Sequence, residues 1–162
     1  MKKITKIILV VVIVVMALGI GITVLCMKLF SPKDALTADE FKTVMVQKGF
    51  QTADITEKYS SYNIKKYYLA LAPDESYQID FLECNDTVVA KNLYAGNKAQ
   101  IEATKGNASM TSEASVSNYS KYSQTSNGSF QVISRIDNTL LMIVTEDDLK
   151  DTVKDLLDDI GY

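Results

Sequence analysis

The sequence predicts an α+β fold: an N-terminal transmembrane helix, then a small domain with a four-stranded antiparallel sheet and helices on one face. Three observations predict it. Residues 7–27 form one uncharged apolar run. After this run, three patterns with helical spacing alternate with two pairs of short strand-like runs. The expected order is therefore helix, two strands, helix, two strands, helix.

The composition excludes several classes of function. The chain has 162 residues, with 17 Lys and Arg against 20 Asp and Glu. Three of the lysines precede the apolar run, so the remainder is still more acidic, and nucleic acid is not an expected partner. There is no histidine, which removes Ser/His and Cys/His nucleophile pairs and imidazole metal ligands. The sequence also lacks a Gly-rich phosphate loop, so we predict no catalytic residues, no cofactor and no metal site.

The apolar run is long enough to cross a lipid bilayer once. Its 21 residues, at about 1.5 Å each in a helix, would span roughly 31 Å. Lysines at three of the first six positions favour a cytoplasmic amino terminus. We therefore expect a single-pass plasma-membrane protein with residues 1–6 inside the cell, a signal anchor at 7–27 and residues 28–162 outside.

Other interpretations of the N-terminal segment stay open. The small residues Ala17 and Gly19 resemble a signal-peptidase site, so the alternative is secretion after cleavage near Gly19. Cys26 is a candidate for lipid attachment, although the preceding Leu25 is bulkier than such processing accepts. Ala17 and Gly21 have the spacing that lets two membrane helices approach closely, which predicts weak self-association.

The exported domain begins after a short linker at residues 28–36. Thr37 followed by Glu40 is a capping-box pattern, and Gly49 is placed to end a helix. We therefore predict the first helix of the domain at residues 38–48.

A hairpin and a second helix are expected next. Residues 50–63 have no clear period, and we interpret them as an irregular crossing with one short strand. Residues 65–72 and 77–83 are typical strands, separated by an acidic, proline-containing turn. A second helix is predicted to begin near Asp86 and to fade by Gly106.

Residues 107–129 are rich in serine, threonine and asparagine and poor in apolar residues. Such a segment buries too little apolar surface to offset the entropy of ordering, so we predict a flexible loop with no packed element. After it, residues 130–136 and 139–145 flank Asp137-Asn138, a two-residue loop suited to a tight hairpin turn.

The final helix has the strongest periodicity. Thr145 is predicted to cap it, and Gly161 to end it with Tyr162 folding back on the last turn. The predicted core combines the apolar stripe of this helix with the apolar sides of the other elements. Its members are Phe41, Leu69, Ile79, Phe81, Leu93, Val132, Leu149, Val153 and Leu156.

Several short motifs resemble a known type of protein. They are Lys48-Gly49-Phe50 after the first helix, Ile136-Asp137-Asn138-Thr139 in the second hairpin and the closing Ile160-Gly161-Tyr162. With the apolar run, they resemble small uncharacterised membrane-anchored extracytoplasmic proteins of Gram-positive bacteria. The resemblance implies a location and an α+β domain, and it transfers no catalytic residues.

A binding role is the first functional hypothesis. Tyr119, Lys121 and Tyr122 offer two amphipathic rings and a cation as candidate contacts for an envelope protein or a glycan. The alternative is that both tyrosines only pin their segment to the domain. We expect a non-enzymatic, membrane-tethered extracytoplasmic interaction module. The alternative function is an envelope enzyme, or a subunit of one, that uses acidic residues such as Asp80 and Glu83.

Overall fold

The structure, a computed structural model, describes residues 32–107 and 109–162. The α-helices in this part of the chain are α1 (Ala38–Gln47), α2 (Thr87–Ala103) and α3 (Lys150–Asp159). The strands are β1 (Gln51–Asp54), β2 (Ile64–Leu71), β3 (Gln78–Cys84), β4 (Met110–Val116), β5 (Tyr119–Ser126), β6 (Ser129–Ile136) and β7 (Thr139–Glu146). All the strands belong to one antiparallel sheet, in the order β1-β2-β3-β7-β6-β5-β4.

The sheet is larger than the sequence predicts. It has seven strands, so the prediction of a four-stranded sheet is wrong. The additional strands are β1, from the irregular crossing, and β4 and β5, from the segment expected to be a loop. Within residues 32–107 and 109–162, no helix is both long and apolar enough to cross a membrane. The N-terminal transmembrane helix of the predicted fold is therefore not seen, and residues 7–27, with Ala17, Gly19 and Gly21, lie outside the described residues.

A capping box begins α1, as predicted. The Thr37 hydroxyl accepts a hydrogen bond from the Glu40 amide (3.3 Å), and the Glu40 carboxylate accepts one from the Thr37 amide (2.8 Å). The helix ends before Gly49, whose φ of +86° lies in the left-handed region that glycine adopts without strain.

Both predicted hairpins are confirmed. β2 pairs with β3, with Tyr68 opposite Phe81, and β6 pairs with β7, with Ile136 opposite Thr139. Asp137, in the loop of the second hairpin, has a φ of +48°, as a primed turn requires. These hairpins were predictable because turn residues and strand-like runs are adjacent in the sequence.

Residues 107–129 contain two regular strands, so the prediction that this segment holds no packed element is wrong. β4 pairs with β5, and β5 pairs with β6 along its whole length. Alternate side chains of β5 are buried although the strand is polar. Among them, the Tyr122 hydroxyl donates a hydrogen bond to Gln124 Oε1 (3.1 Å). Paired polar side chains thus replace the apolar alternation that usually reveals a strand.

Helices pack on both faces of the sheet, so the prediction of helices on one face is wrong. On the α1/α3 face, Phe41, Phe81 and Leu157 belong to one buried cluster. On the α2 face, Ile101 and Ile133 belong to a second buried cluster. A strand covered on both sides carries apolar residues on both of its faces, as β3 and β7 do. Such strands are typical of a sheet with no face open to water.

The last helix begins later than predicted. β7 runs through Thr145, and a 3-10 turn at Asp147–Leu149 precedes α3, so Thr145 is a strand residue and does not cap the helix. The end of the helix is confirmed. Gly161 has a φ of +85°, and the Tyr162 amide donates a hydrogen bond to the Leu157 carbonyl oxygen (2.8 Å).

The predicted core is only partly correct. The fully buried members are Phe41, Ile79, Phe81, Val132 and Val153. The members that stay partly exposed are Leu69, Leu93, Leu149 and Leu156. In α3 the fully buried residues are Val153 and Leu157, because the helix turns these two towards the sheet.

Candidate functional site

The two edge strands of the sheet are protected to different degrees. β1 has only four residues and leads towards a 3-10 turn at Thr56–Tyr62, and short edge strands resist pairing with other chains. β4, at the other edge, has seven residues, and all but Val116 are exposed. It contains no proline and no lysine, and it pairs with β5 without a register shift. β4 therefore leaves an unprotected sheet edge.

The register of β4 identifies the main-chain groups that point away from the sheet. Val116 and Tyr119 flank a two-residue loop and face each other, and such a pair is hydrogen-bonded across the hairpin. Ladder hydrogen bonds then recur at every second residue. The N–H and C=O groups of Thr111, Glu113 and Ser115 therefore point outward. We call these groups the β4 edge.

A groove of about 320 Å³ lies beside the β4 edge on the α1/α3 face, and we call it the β4 groove. The buried ring of Phe130 contributes to its lining, as does Met110, which is 70% exposed. Three lysines also line it: Lys121 from β5, and Lys150 and Lys154 from α3. The β4 groove thus combines apolar surface with several ammonium groups.

Most of the charged side chains that line the β4 groove are basic, although the chain is acidic overall. Among the described residues that line it, Asp158 is the one with an acidic side chain. Lys121 donates a hydrogen bond from its ammonium group to the Tyr162 carbonyl oxygen (3.0 Å). Burial lowers the pKa of Lys121, and the nearby Asp158 carboxylate partly offsets that effect. This hydrogen bond holds the Lys121 ammonium in place near Asp158.

The two helical lysines of the groove are one turn apart on α3. The Lys150 ammonium lies 5.9 Å from the centroid of the Phe130 ring, a weak cation–π contact. The Lys154 ammonium lies 3.7 Å from the carboxylate of Asp151, whose side chain is 92% exposed. An ion pair as exposed as this one contributes little free energy, so Lys154 remains free to bind another anion.

The structure separates the three residues predicted as partner contacts. Lys121 lines the β4 groove. Tyr119 lies on the same face, where the Lys33 ammonium is 4.0 Å from its ring centroid. Tyr122 lies on the α2 face, is 4% exposed and donates its hydroxyl hydrogen to Gln124. The two tyrosines therefore lie on opposite sides of the sheet, and a role of these three residues in partner contact stays a prediction.

α2 holds β4 and β5 in position from the opposite face. Lys98 donates a hydrogen bond to the Glu113 carboxylate (2.6 Å), and the Gln124 amide donates one to the Ile101 carbonyl oxygen (2.9 Å). Gln124 is buried, so this hydrogen bond replaces the water that the amide loses on folding. Both contacts are made by side chains, and they leave the outward main-chain groups of β4 uncovered.

Asp80 and Glu83, the candidate acid/base pair, do not converge. Side chains three positions apart on a strand point to opposite faces. Asp80 accepts a hydrogen bond from the Tyr67 hydroxyl (2.6 Å), and Glu83 accepts hydrogen bonds from the Lys65 ammonium (2.6 Å) and the Ala38 amide (3.0 Å). Burial opposes the ionisation of Glu83, but these two donors outweigh it and hold its pKa below the ordinary value. Both carboxylates therefore have structural partners.

Cys84 is the one cysteine in the part of the chain that the structure describes. It is fully buried, and burial, reinforced by Asp86 and Glu83, raises the pKa of its thiol to about 11. Little thiolate forms near neutral pH, so Cys84 is a core residue. Across residues 32–107 and 109–162, no three carboxylate or cysteine side chains are grouped to hold a metal ion.

Sequence reasoning missed the β4 edge and the β4 groove. A local signal was present, because Asn127-Gly128 is a typical two-residue hairpin loop and it connects β5 to β6. No such signal relates Lys121 to Lys150 and Lys154, which meet only through the strand order. No protein-family model matches the chain, and comparison with curated proteins and with solved structures gives no match either.

Proposed function

We propose that the protein is a membrane-tethered extracytoplasmic binding module, non-enzymatic, whose binding surface is the β4 edge with the β4 groove. The observation that carries this proposal is the seven-residue exposed edge strand beside a groove. Folded proteins commonly protect such an edge with proline, lysine, a bulge or a covering element. Within the described residues β4 has none of these, and an open edge is typical of proteins that bind a partner strand.

Strand addition explains how a small surface can bind a partner firmly. A strand placed alongside β4 would pair with the main chain of Thr111, Glu113 and Ser115, each of which offers one donor and one acceptor. Main-chain hydrogen bonds then supply affinity, and side chains over the groove supply specificity. β4 is already held by β5 and by the Lys98–Glu113 ion pair, so the module loses little conformational freedom when a partner binds.

The apolar run at residues 7–27 supports a tethered module. Its length suits one crossing of the bilayer, and the lysines before it favour export of the domain. A tether confines the domain to the membrane surface and so raises its effective concentration towards partners in the same layer. Secretion after cleavage near Gly19, the alternative, leaves the binding surface unchanged.

Proline substitution at an outward-facing position tests the proposal. Thr111→Pro removes an outward N–H without removing a ladder hydrogen bond, and proline is tolerated where the missing donor faces solvent. Thr111→Val is the matched control, because it keeps the N–H and suits a strand. The full chain is reconstituted in lipid nanodiscs and used to select short peptides from a random displayed library, with empty nanodiscs for subtraction.

We expect the selected peptides to bind the wild type and Thr111→Val equally, and to bind Thr111→Pro at least about tenfold more weakly. Circular dichroism and melting curves of both variants establish that the fold is intact. Peptides that bind Thr111→Pro as tightly as the wild type would contradict strand addition. A library that yields no binding peptide would contradict it as well.

A further inference from the structure

We propose that the partner at the β4 edge is an extended acidic peptide segment, which adds to the sheet as an eighth strand and places its carboxylates against Lys150 and Lys154. This inference rests on the proposed binding role of the β4 edge, and it names the chemistry of the partner. Two independent features converge on it. One is the exposed hydrogen-bonding edge of β4, and the other is the charge of the groove beside it.

The two helical lysines of the β4 groove have few acidic partners within the described residues. Lys150 has no carboxylate side chain within ion-pair distance among the described residues, and Lys154 has only the exposed Asp151. Three lysines and one acidic side chain line the groove, in a chain of net charge −3. At physiological ionic strength charges more than about 8 Å apart are largely screened, so the charged groups that line the groove act most strongly on a bound segment.

The geometry of a strand suits this arrangement. Side chains at every second position of an added strand point to the same face, at intervals of about 7 Å. Lys150 and Lys154 are four residues apart on α3, which places them about 6 Å apart along the helix axis. The two spacings are similar, so the proposed segment carries its acids at alternate positions. Its intervening side chains would point towards the α2 face.

The chain itself is a poor source of such a segment. Residues 1–31 contain no aspartate or glutamate, so they cannot supply the carboxylates. A second copy pairing through its own β4 would bring one acid, Glu113, and that carboxylate already accepts a hydrogen bond from Lys98 (2.6 Å). The charge complementarity therefore favours a different, acidic chain as the partner.

Model peptides of matched composition test the proposal on the full chain in nanodiscs. The probe alternates glutamate with valine, and its isomer has the same composition with the glutamates in adjacent pairs, so that only half of them share a face. A third peptide alternates lysine with valine. The protein variants are Lys150→Gln with Lys154→Gln, Thr111→Pro, and a control in which the exposed Lys91 and Lys105 are replaced by glutamine. Fluorescence anisotropy gives each dissociation constant.

We expect the alternating-glutamate peptide to bind more tightly than its isomer and than the lysine peptide. The Lys150→Gln, Lys154→Gln variant should weaken this binding by about tenfold, the control variant should leave it unchanged, and added salt should weaken it in the wild type. Thr111→Pro should also weaken it, because the main-chain contribution is lost.

Four outcomes would overturn the inference. Equal binding of the glutamate and lysine peptides would show that the charge of the peptide does not determine binding. Inorganic polyphosphate that binds equally well to wild type and Thr111→Pro, when no peptide binds, would make the groove a general anion site. A peptide-free dimer that Thr111→Pro dissociates, seen by analytical ultracentrifugation, would make a second copy the occupant. Library-selected peptides that need the β4 edge but ignore Lys150 and Lys154 would refute the acidic partner and leave the proposed function standing.

Discussion

Two neighbouring leucines in α3 show how burial separates residues that look alike in the sequence. Leu157 is fully buried in the cluster on the α1/α3 face, whereas Leu156 is only partly buried. At 100° per residue both fall within the apolar arc of the helix, and the arc does not say which part of it faces the sheet. That orientation depends on where α3 crosses the strands.

We predict that Leu157→Ala lowers the free energy of unfolding by about 2–5 kcal/mol, because it leaves a cavity in a packed core. Leu156→Ala is the control and should cost clearly less, since part of that side chain already contacts water. Urea denaturation of both variants, followed by circular dichroism, gives the two values. Equal losses of stability would mean that the described orientation of α3 is wrong.

Residue-scale features were predictable where they depend on near neighbours. The capping box of Thr37 and Glu40 lies within one helical turn, and Gly161 lies two positions after the last residue of α3. The environment of Lys121 was not predictable in this way. Its acceptor, Tyr162, is 41 positions away, and only the folded sheet brings the two together.

Among the elements, β5 was not predicted from the sequence, and the reason is physical. Its buried side chains are Ser120, Tyr122, Gln124 and Ser126, so the strand lacks the apolar alternation that indicates a half-buried strand. Its burial is made favourable by hydrogen bonds to distant groups, such as the one from Gln124 to Ile101. The hairpins of β2–β3 and β6–β7 carry apolar strands and were therefore predicted.

Hydrogen exchange should distinguish β4 from β5, the two strands in the segment that was predicted to be a loop. We predict slow exchange for the amides of β5, which is paired on both sides, and an alternating pattern in β4. In β4 the outward amides of Thr111, Glu113 and Ser115 should exchange fast, and those of Ser112 and Ala114 slowly. Residue-resolved hydrogen–deuterium exchange measures this pattern. Uniformly fast exchange across both strands would support the flexible loop predicted from composition and contradict the two strands.

At the scale of the whole molecule, the orientation across the membrane is a separate prediction. Lysines before the apolar run favour export of residues 28–162, so protease added to intact cells should digest this domain. A cytoplasmic protein of the same cells serves as the control for lysis. A domain that is protected until the cells are broken open would show that it lies on the inner side.

The class of the fold was predictable, but its architecture was not. Alternating helical and strand-like runs correctly indicated α+β. The number of strands and the placement of α2 opposite α1 and α3 depend on pairings between distant segments, to which local periodicity is insensitive. The candidate binding surface depends on those same pairings, because β4 becomes an edge only through the order of the strands.

The strand order also has a consequence for folding. All neighbouring strands are consecutive in the chain except β3 and β7, whose paired residues include Glu83 and Thr139. The hairpins can form within about 1–10 μs. Pairing β3 with β7 instead closes a long loop that contains α2 and three strands, and this closure costs more entropy. During synthesis from the amino end, β3 emerges with Ile79, Phe81 and Leu82 beside an unpaired edge, and it stays so until β7 follows. The entropy of closing so long a loop favours the β3–β7 pairing as the last part of the sheet to form, and a delay before it forms would expose the chain to aggregation.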